Sequence, residues 1–261
     1  MIEDKNNIPL VSVLIPTYNR ANYLEIALQS ALDQTYKNIE IIICDDSTND
    51  DSKRMLMRYL KIHPQIHYYN NGGNLGEYGL NNCKKCIQLA NGEYINFLND
   101  DDIFYPKKIE RMVEYIKDKT ISLVTSRRSR IDESGNELPD IRATRPITAV
   151  DSIYKGKELG KRMITQKINF IGEPTTVLFR KRDVENFGMF MGRQYHCNFD
   201  MASWLSLMLK GNCVYIAEIL SSFRIHREQS GFIDEVHKLG LKELEYLQED
   251  GQKAGFLLED G

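Results

Sequence analysis

The chain has 261 residues, with 34 lysines and arginines against 37 acids and a formal charge of −3. That length can bury a sizeable core, and 42% hydrophobic with 27% charged residues is globular usage, which excludes a disordered chain. The near-neutral balance of interspersed signs gives no electrostatic reason to expect nucleic acid as a partner.

Along the first half, short apolar runs alternate with amphipathic stretches, the pattern of βαβ units around a parallel sheet. Val11–Ile15 reads as a buried strand ending at Pro16, followed by a helix from about Tyr23 to Asp33. Ile39–Cys44 is the second strand and stops at Asp45-Asp46-Ser47; Ser47, Thr48 or Asn49 can cap a helix running to about Leu60. Ile66–Tyr69 is a third strand, and a Gly/Asn-rich loop over Asn70–Gly76 leads to a helix ending near Ala90. Tyr94–Leu98, the fourth strand, runs straight into Asn99-Asp100-Asp101-Asp102. Pro106 opens a helix to about Lys117, on which Lys107 and Lys108 read as a solvated face. Ile121–Ser126 is a further strand, and Asp132–Asn136 is a turn signal.

Beyond Ala143 the pattern weakens, with a short helix expected around Lys155–Met163. A strand over Thr175–Arg180, a helix over Asp200–Leu209 and a strand over Cys213–Ala217 follow. From about Ile233 to Leu247, Ile233, Val236, Leu239, Leu244 and Leu247 are spaced for a docking helix. That tail is expected to cover the site, pair with a second copy, or join a longer parent chain. The apolar face of the Asp200–Leu209 stretch places Trp204 in the core. His67 and His196 have no chemical context and read as surface or packing residues.

The polar, acidic start is not a secretory signal, and no apolar run reaches the roughly 18 residues of a membrane span. Cys44, Cys83, Cys86, Cys197 and Cys213 are odd in number and irregularly spaced. That suits a reducing cytoplasm, the expected location, either in solution or at the inner face of the membrane. Cys83-Lys-Lys-Cys86 has no second pair to complete a zinc site and reads as two helix cysteines.

Ligands of open parallel sheets sit outside the carboxyl ends of the strands. There this sequence places Pro16–Arg20, Asp45-Asp46 and Asn99–Asp102. Single acids at strand ends are often helix caps or solvated turn residues. Four or five on one rim repel one another unless a cation binds. Oxygen donors suit Mg²⁺ or Mn²⁺, which combine one or two carboxylates with substrate phosphates and water. Neither a Walker A lysine motif nor a G-x-G-x-x-G fingerprint is present.

Val11-Ser-Val-Leu-Ile-Pro-Thr-Tyr-Asn-Arg20, Gln34-Thr-Tyr36, Ile42-Ile-Cys-Asp-Asp-Ser47, Asn74-Leu-Gly76, Gly92-Glu-Tyr-Ile95 and Phe97-Leu-Asn-Asp-Asp-Asp102 occur in this order. The set resembles the family 2 nucleotide-sugar glycosyltransferases of the GT-A fold over about residues 10–125. It continues more weakly to about 230 through Glu173-Pro-Thr-Thr-Val-Leu-Phe-Arg180, Asp200 and Phe223-Arg-Ile-His226. The resemblance implies an α/β GT-A (Rossmann-like) fold, a mixed, mainly parallel sheet flanked by helices, with a C-terminal helix. It divides the chain into a catalytic domain over 1–232 and a helical tail over 233–261. The catalytic domain has a nucleotide-binding half at about 8–125 and an acceptor half at about 126–232.

By the same resemblance, Pro16, Thr17 and Tyr18 hold the nucleotide, with Tyr18 stacking on the base and Asp46 accepting the uracil N3–H. Asp101 becomes the metal carboxylate and Asp100 a nucleotide or ribose contact; Asn99 stands where relatives carry the first acid of the D-x-D element. His226 approaches the metal or diphosphate. Asp200 is the general base, with Glu173 as backup base or acceptor contact. The implied reaction is inverting transfer of a sugar from a UDP-sugar, or a dTDP-sugar, to a hydroxyl of a glycan, lipid carrier or protein, assisted by Mn²⁺ or Mg²⁺. Two alternatives stand beside it. One is a nucleotide-sugar-binding domain that has lost catalysis; the other is a sugar-nucleotidyltransferase, which would want a Gly-rich basic loop after the first strand. Tyr78 occupies the neighbourhood where some relatives place a basic residue.

Overall fold

Val11–Thr17 (β1) and Ile39–Asp45 (β2) are buried along almost their whole length, as parallel strands covered on both faces must be. Their side chains alternate between two apolar layers. Val11, Val13, Ile15, Ile39, Ile41 and Ile43 pack with the helices Ala21–Leu32 (α1) and Lys108–Ile116 (α4). Leu14, Ile42 and Cys44 face the opposite layer, with Leu80–Leu89 (α3), Gly156–Gln166 (α5), Phe199–Met208 (α6) and Asp234–Lys253 (α7). The computed structural model describes residues 8–227, 229 and 234–257. Ile233, named above for the tail helix, lies outside them, as does the extreme N-terminus.

The main sheet is ordered β3-β2-β1-β4-β9-β6-β12-β5. Here β3 is Ile66–Asn70, β4 Tyr94–Phe97, β5 Ile103–Phe104, β6 Ile121–Ile131, β9 Leu178–Arg180 and β12 Asn212–Arg224. β1 to β4 and the β6–β12 pair run parallel, and β9 is the antiparallel joint between them. Two short strands, β7 (Glu137–Leu138) and β8 (Ser152–Tyr154), pair antiparallel with β6 and β12. A hairpin of β10 (Met189–Phe190) and β11 (Arg193–Gln194) stands apart. The helix Asp51–Leu60 (α2) follows β2; its N-cap is Asp50 and not Ser47, Thr48 or Asn49, and the Asn49 side chain accepts the Asp51 N–H at 2.9 Å from one residue before the cap. The expected fold class holds: a mixed, mainly parallel sheet between helices, with a helix at the C-terminal end.

Several boundaries differ. β1 continues through Pro16, which is tolerated because pairing with β4 stops at Leu14 and leaves that flank free of ladder donors. The strand expected over Thr175–Arg180 begins as a 3-10 turn, Pro174–Thr176, because the Thr175 and Thr176 hydroxyls bond Asp102 and the Glu173 carbonyl instead of lying in a ladder. β6 and β12 outrun their predicted ends, to Ile131 and Arg224. Lys108 is a correction: only Lys107 is solvated, whereas Lys108 is fully buried on the stripe of Met112 and Ile116. Its ammonium donates to the Thr176 carbonyl at 3.2 Å and lies 5.3 Å from the Phe104 ring centroid. Burial pulls its pKa down to about 7.

Cys83 and Cys86 lie wholly inside α3, against Cys44 of β2, and Trp204 is fully buried, as the core reading required. Gly92 allows the turn into β4 to pass β1: a Cβ there would stand 2.5 Å from Ser12 Oγ and 2.6 Å from its nitrogen. Among the described residues no helix is long and apolar enough to cross a membrane.

Candidate active site

The carboxyl ends of β1, β2 and β4 converge, and their acids are engaged in distinct ways. Asp46 is buried, with Asn71 Nδ2 donating to it at 2.7 Å and the Leu75 N–H at 3.1 Å. Burial raises its pKa above the usual carboxylate value despite these bonds. The loop after β3 is thereby tied to the end of β2. It continues through Gly76, Glu77, Tyr78 and Gly79, four consecutive residues at positive φ, a strained turn of the kind that collects at functional sites. Tyr18, at 42% exposure, stands open beside this rim, and Thr17 is buried beneath it.

Asp100 faces inward. It accepts from Thr17 Oγ1 at 2.8 Å, the Tyr18 N–H at 3.3 Å and Arg20 Nη1 at 3.0 Å, locking the β1 exit to the acidic run. Burial first and the neighbouring Asp101 second push its carboxyl up to about 6. Asp102 is turned the other way. Thr175 Oγ1 donates to it at 2.5 Å and the Arg224 N–H at 3.1 Å, and burial with Asp101 nearby raises its pKa well above the ordinary value. Asp101 lies between them. Its Oδ2 is 2.9 Å from His226 Nε2 and 3.3 Å from Arg20 Nη1.

β5 explains this convergence. It follows the acidic run at once and pairs antiparallel with Ser221 and Ser222 of β12, so that the chain leaves β12 toward Asp101. The Arg224 Nε then donates to the Asp101 carbonyl at 2.8 Å, its guanidinium lies over the Tyr23 ring, and the His226 ring sits 5.0 Å from that same ring. A cleft of about 990 Å³ opens here, lined by Asn19, Arg20, Tyr23, His226 and Arg227 among others. One carboxylate oxygen and one imidazole nitrogen, both buried and 2.9 Å apart, form a donor set suited to a divalent cation. Among the described residues no group of three or more His, Cys, Asp or Glu could hold a metal. A cation held by these two side chains would take most of its coordination shell from phosphate oxygens and water, the usual arrangement for Mg²⁺ beside a phosphorylated ligand.

Asp200 stands on the first turn of α6. Its Oδ1 accepts the Met201 N–H and its Oδ2 the Asn169 Nδ2, each at 2.7 Å. It retains some solvent access, yet the surrounding protein and, secondarily, Glu173 push its carboxyl up to about 7. Asn169 also donates to the Gly172 carbonyl, which the Trp204 indole N–H reaches at 2.9 Å. Glu173 is engaged elsewhere: its Oε2 lies 2.6 Å from Nε of Arg128, which is 3% exposed. Its charge reaches both Asp102 and Asp200, so the segment 173–175 bridges the acidic run to α6. Asp46 and Asp200 both act on the Cys83 thiol, which burial raises to about 12. His67 is exposed; His196 is partly buried, with Nδ1 2.5 Å from Glu77.

The structure thus gathers Thr17, Tyr18, Asp46, Asp100, Asp101 and His226 at one rim and sets Asp200 and Glu173 beside one another in the other half. Sequence reasoning missed Arg20, Asn71, Arg128 and Asn169. Arg20 stands within a quoted motif; the others carry no local signal, because their partners Asp46, Asn169 and Asp200 lie 25, 41 and 31 positions away.

A family described as "Glycosyl transferase family 2" matches residues 12–188. The chain belongs to glycosyltransferase family 2. It is 30% identical over 219 residues to the "Putative teichuronic acid biosynthesis glycosyltransferase TuaG" of Bacillus subtilis, covering 83% of this chain and 79% of that one. Against chondroitin synthase of Escherichia coli the identity is 35% over 130 residues, 49% of this chain but 18% of the synthase. In architecture it is similar to Staphylococcus aureus TarS 1–349 in complex with UDP-GlcNAc, with TM-score 0.64, 13% identity, and coverage of 94% and 70%. The mannosyltransferase PcManGT of Pyrobaculum calidifontis, in complex with GDP-Man and Mn²⁺, gives TM-score 0.57 at 13% identity, covering 94% and 74%. At such identities these structures establish the GT-A fold alone. The chain is a glycosyltransferase, and what it transfers and to what is a separate question.

Proposed function

We propose that this glycosyltransferase moves a sugar from a UDP-sugar to an acceptor hydroxyl with inversion at the anomeric carbon. The observation that carries the reading is the pairing of Asp101 with His226 at the rim that also holds Asp46 and Tyr18. Tyr18 offers an exposed ring for the base to stack on, and Asp46 offers a buried acceptor for the uracil N3–H. Thymine presents the same edge, so a dTDP-sugar fits equally; guanine presents a different one. Asp101 and His226 would hold Mn²⁺ or Mg²⁺. When bound, the cation supplies Lewis-acid stabilisation of the departing diphosphate.

Asp200 is the proposed general base. It takes the proton of the acceptor hydroxyl as that oxygen bonds to the anomeric carbon, while the bond to the diphosphate oxygen breaks on the opposite face. A carboxyl with pKa near 7 is poised for that proton, and Arg128 holds the alternative acid, Glu173, in an ion pair. Glu173 is then an orienting or acceptor-side group. The acceptor, whether glycan, lipid carrier or protein, meets the half beyond residue 126.

Calorimetric titration with UDP, with and without Mn²⁺, tests the donor reading. Binding tightened at least tenfold by Mn²⁺ supports it, and UDP affinity indifferent to metal overturns the cation assignment. UDP release from a panel of UDP-sugars separates a working transferase from a domain that binds without turnover.

A further inference from the structure

The turn that leads into Asp200, residues 196–198, is held by the C-terminal helix. Three backbone N–H groups just ahead of α6 point at one carboxylate. Glu243 Oε1 accepts from His196 at 2.7 Å, and Oε2 accepts from Cys197 at 3.0 Å and Asn198 at 2.8 Å. Glu243 is 3% exposed and comes from α7, on the stripe that also buries Val236, Leu247 and Asp250. Asn198, at the N-cap position of α6, makes no capping bond with its own side chain; its amide donates instead to the Gly240 carbonyl of α7 at 2.8 Å. The carboxylate of a distant helix thus satisfies the N–H of the N-cap residue and of the two residues before it, while Asp200 Oδ1 takes the Met201 N–H inside the first turn.

The same helix also holds the end of the β10–β11 hairpin, ahead of that turn. Asp250, 1% exposed, accepts from Tyr195 Oη at 2.7 Å and lies 2.9 Å from Arg193 Nε. From the opposite side Glu77, in the strained loop before α3, meets His196. Docking by apolar contact alone would use residues such as Leu247 and Phe256, which are present and buried. Burying a carboxylate adds a desolvation cost that an apolar residue would not, and it is offset only where specific donors await it. Here those donors all belong to the turn two to four residues before Asp200.

We propose that Glu243 is a positioning residue for Asp200: by fixing the backbone of His196–Asn198 it sets where the base points. The proposal rests on the reading of Asp200 as general base. Acting through geometry, Glu243 should govern turnover and leave donor affinity alone.

The test uses the whole chain and four variants: Glu243→Gln, Asp250→Asn, Asp200→Asn and the Glu243→Gln/Asp200→Asn double variant. Melting temperature, UDP affinity with Mn²⁺, and saturating UDP release from the panel sugar hydrolysed fastest are measured for each. Glu243→Gln is expected to bind UDP within twofold of the parent and to turn over at least tenfold more slowly. Asp250→Asn should lower the melting temperature and keep turnover within twofold, and the double variant should be no slower than Asp200→Asn. Full-speed turnover by Glu243→Gln, or equal slowing by Asp250→Asn, overturns the positioning role. Should Glu243→Gln fail to fold, Glu243→Asp, with its charge one methylene short, is read by the same criteria. Unchanged turnover in Asp200→Asn removes the base reading itself, whereas a slow Asp200→Asn beside a fast Glu243→Gln removes only the positioning role.

Discussion

His226 Nε2 lies 2.9 Å from Asp101 Oδ2 across 125 positions of sequence, and both side chains are buried. The two-residue strand β5 makes this contact, by pairing the exit of the acidic run with the end of β12. Replacing Asp101 by Asn, or His226 by Ala, should abolish the tightening of UDP binding by Mn²⁺, because each removes one of the two side chains proposed to hold the cation. Metal-free UDP binding should change little. Calorimetry with and without Mn²⁺ checks both, and retained tightening in either variant refutes the assignment.

Asp200 sets an expectation for pH. With its carboxyl at about 7, turnover should fall roughly tenfold per unit below that pH, because the base is then protonated. The stability sign is opposite to that of a salt-bridged acid. A folded-state pKa above the unfolded value of about 3.9 means the native state holds the extra proton, so stability declines as pH rises from about 4 to 7 and then levels off. Asp200→Asn removes this dependence, so its stability relative to the parent should improve by on the order of 1–3 kcal/mol between pH 5 and 8. Denaturant melts at the two pH values measure that difference; a constant gap would contradict it.

Asp46→Ala should weaken UDP by about 1.5–3 kcal/mol, the range for a hydrogen bond to a charged group. It should also narrow any preference of the enzyme for UDP over GDP, since the edge-reading group is gone. Competition between the two nucleotides is the measurement, and an undiminished preference would assign base recognition elsewhere.

Lys108 predicts a stability effect remote from donor binding. Its pKa is lowered to about 7 against an unfolded value near 10.4, so the penalty for burying it is complete below pH 7 and is relieved as pH rises toward 10. Lys108→Met, which keeps volume and removes the charge, should therefore compare best with the parent at pH 6 and lose on the order of 2–4 kcal/mol of that advantage by pH 10. Lys108→Ala should be the least stable, because it adds a cavity to the unpaired Thr176 carbonyl that both variants leave. Thermal melts across pH distinguish the three.

Much of the fold was legible because parallel strands buried on both faces appear as unbroken apolar runs, and β1, β2 and β4 each stop where polar residues begin. β5 and β8 were not, being two and three residues long and defined only by what they pair with. Lys108 and Glu243 share a lesson. Each sits on an apolar stripe, four residues before Met112 and Leu247 respectively, and that spacing is visible in the sequence. Whether a charge on such a stripe is buried depends on whether partners await it, and those partners are backbone groups of other elements.

Length and balanced charge by themselves bounded the chain to a globular protein and gave no electrostatic reason to expect nucleic acid as a partner, and the ordered motifs around the strand ends were enough to place it in its family. The near-neutral total conceals the acids of one rim. Only the tertiary structure decided what each of them does: Asp100 braces the β1 exit, Asp102 ties β4 to Thr175 and Arg224, and Asp101 alone meets His226. Consecutive acids have the same local chemistry, so their roles come from burial and from partners that chain crossing supplies, which no local pattern contains.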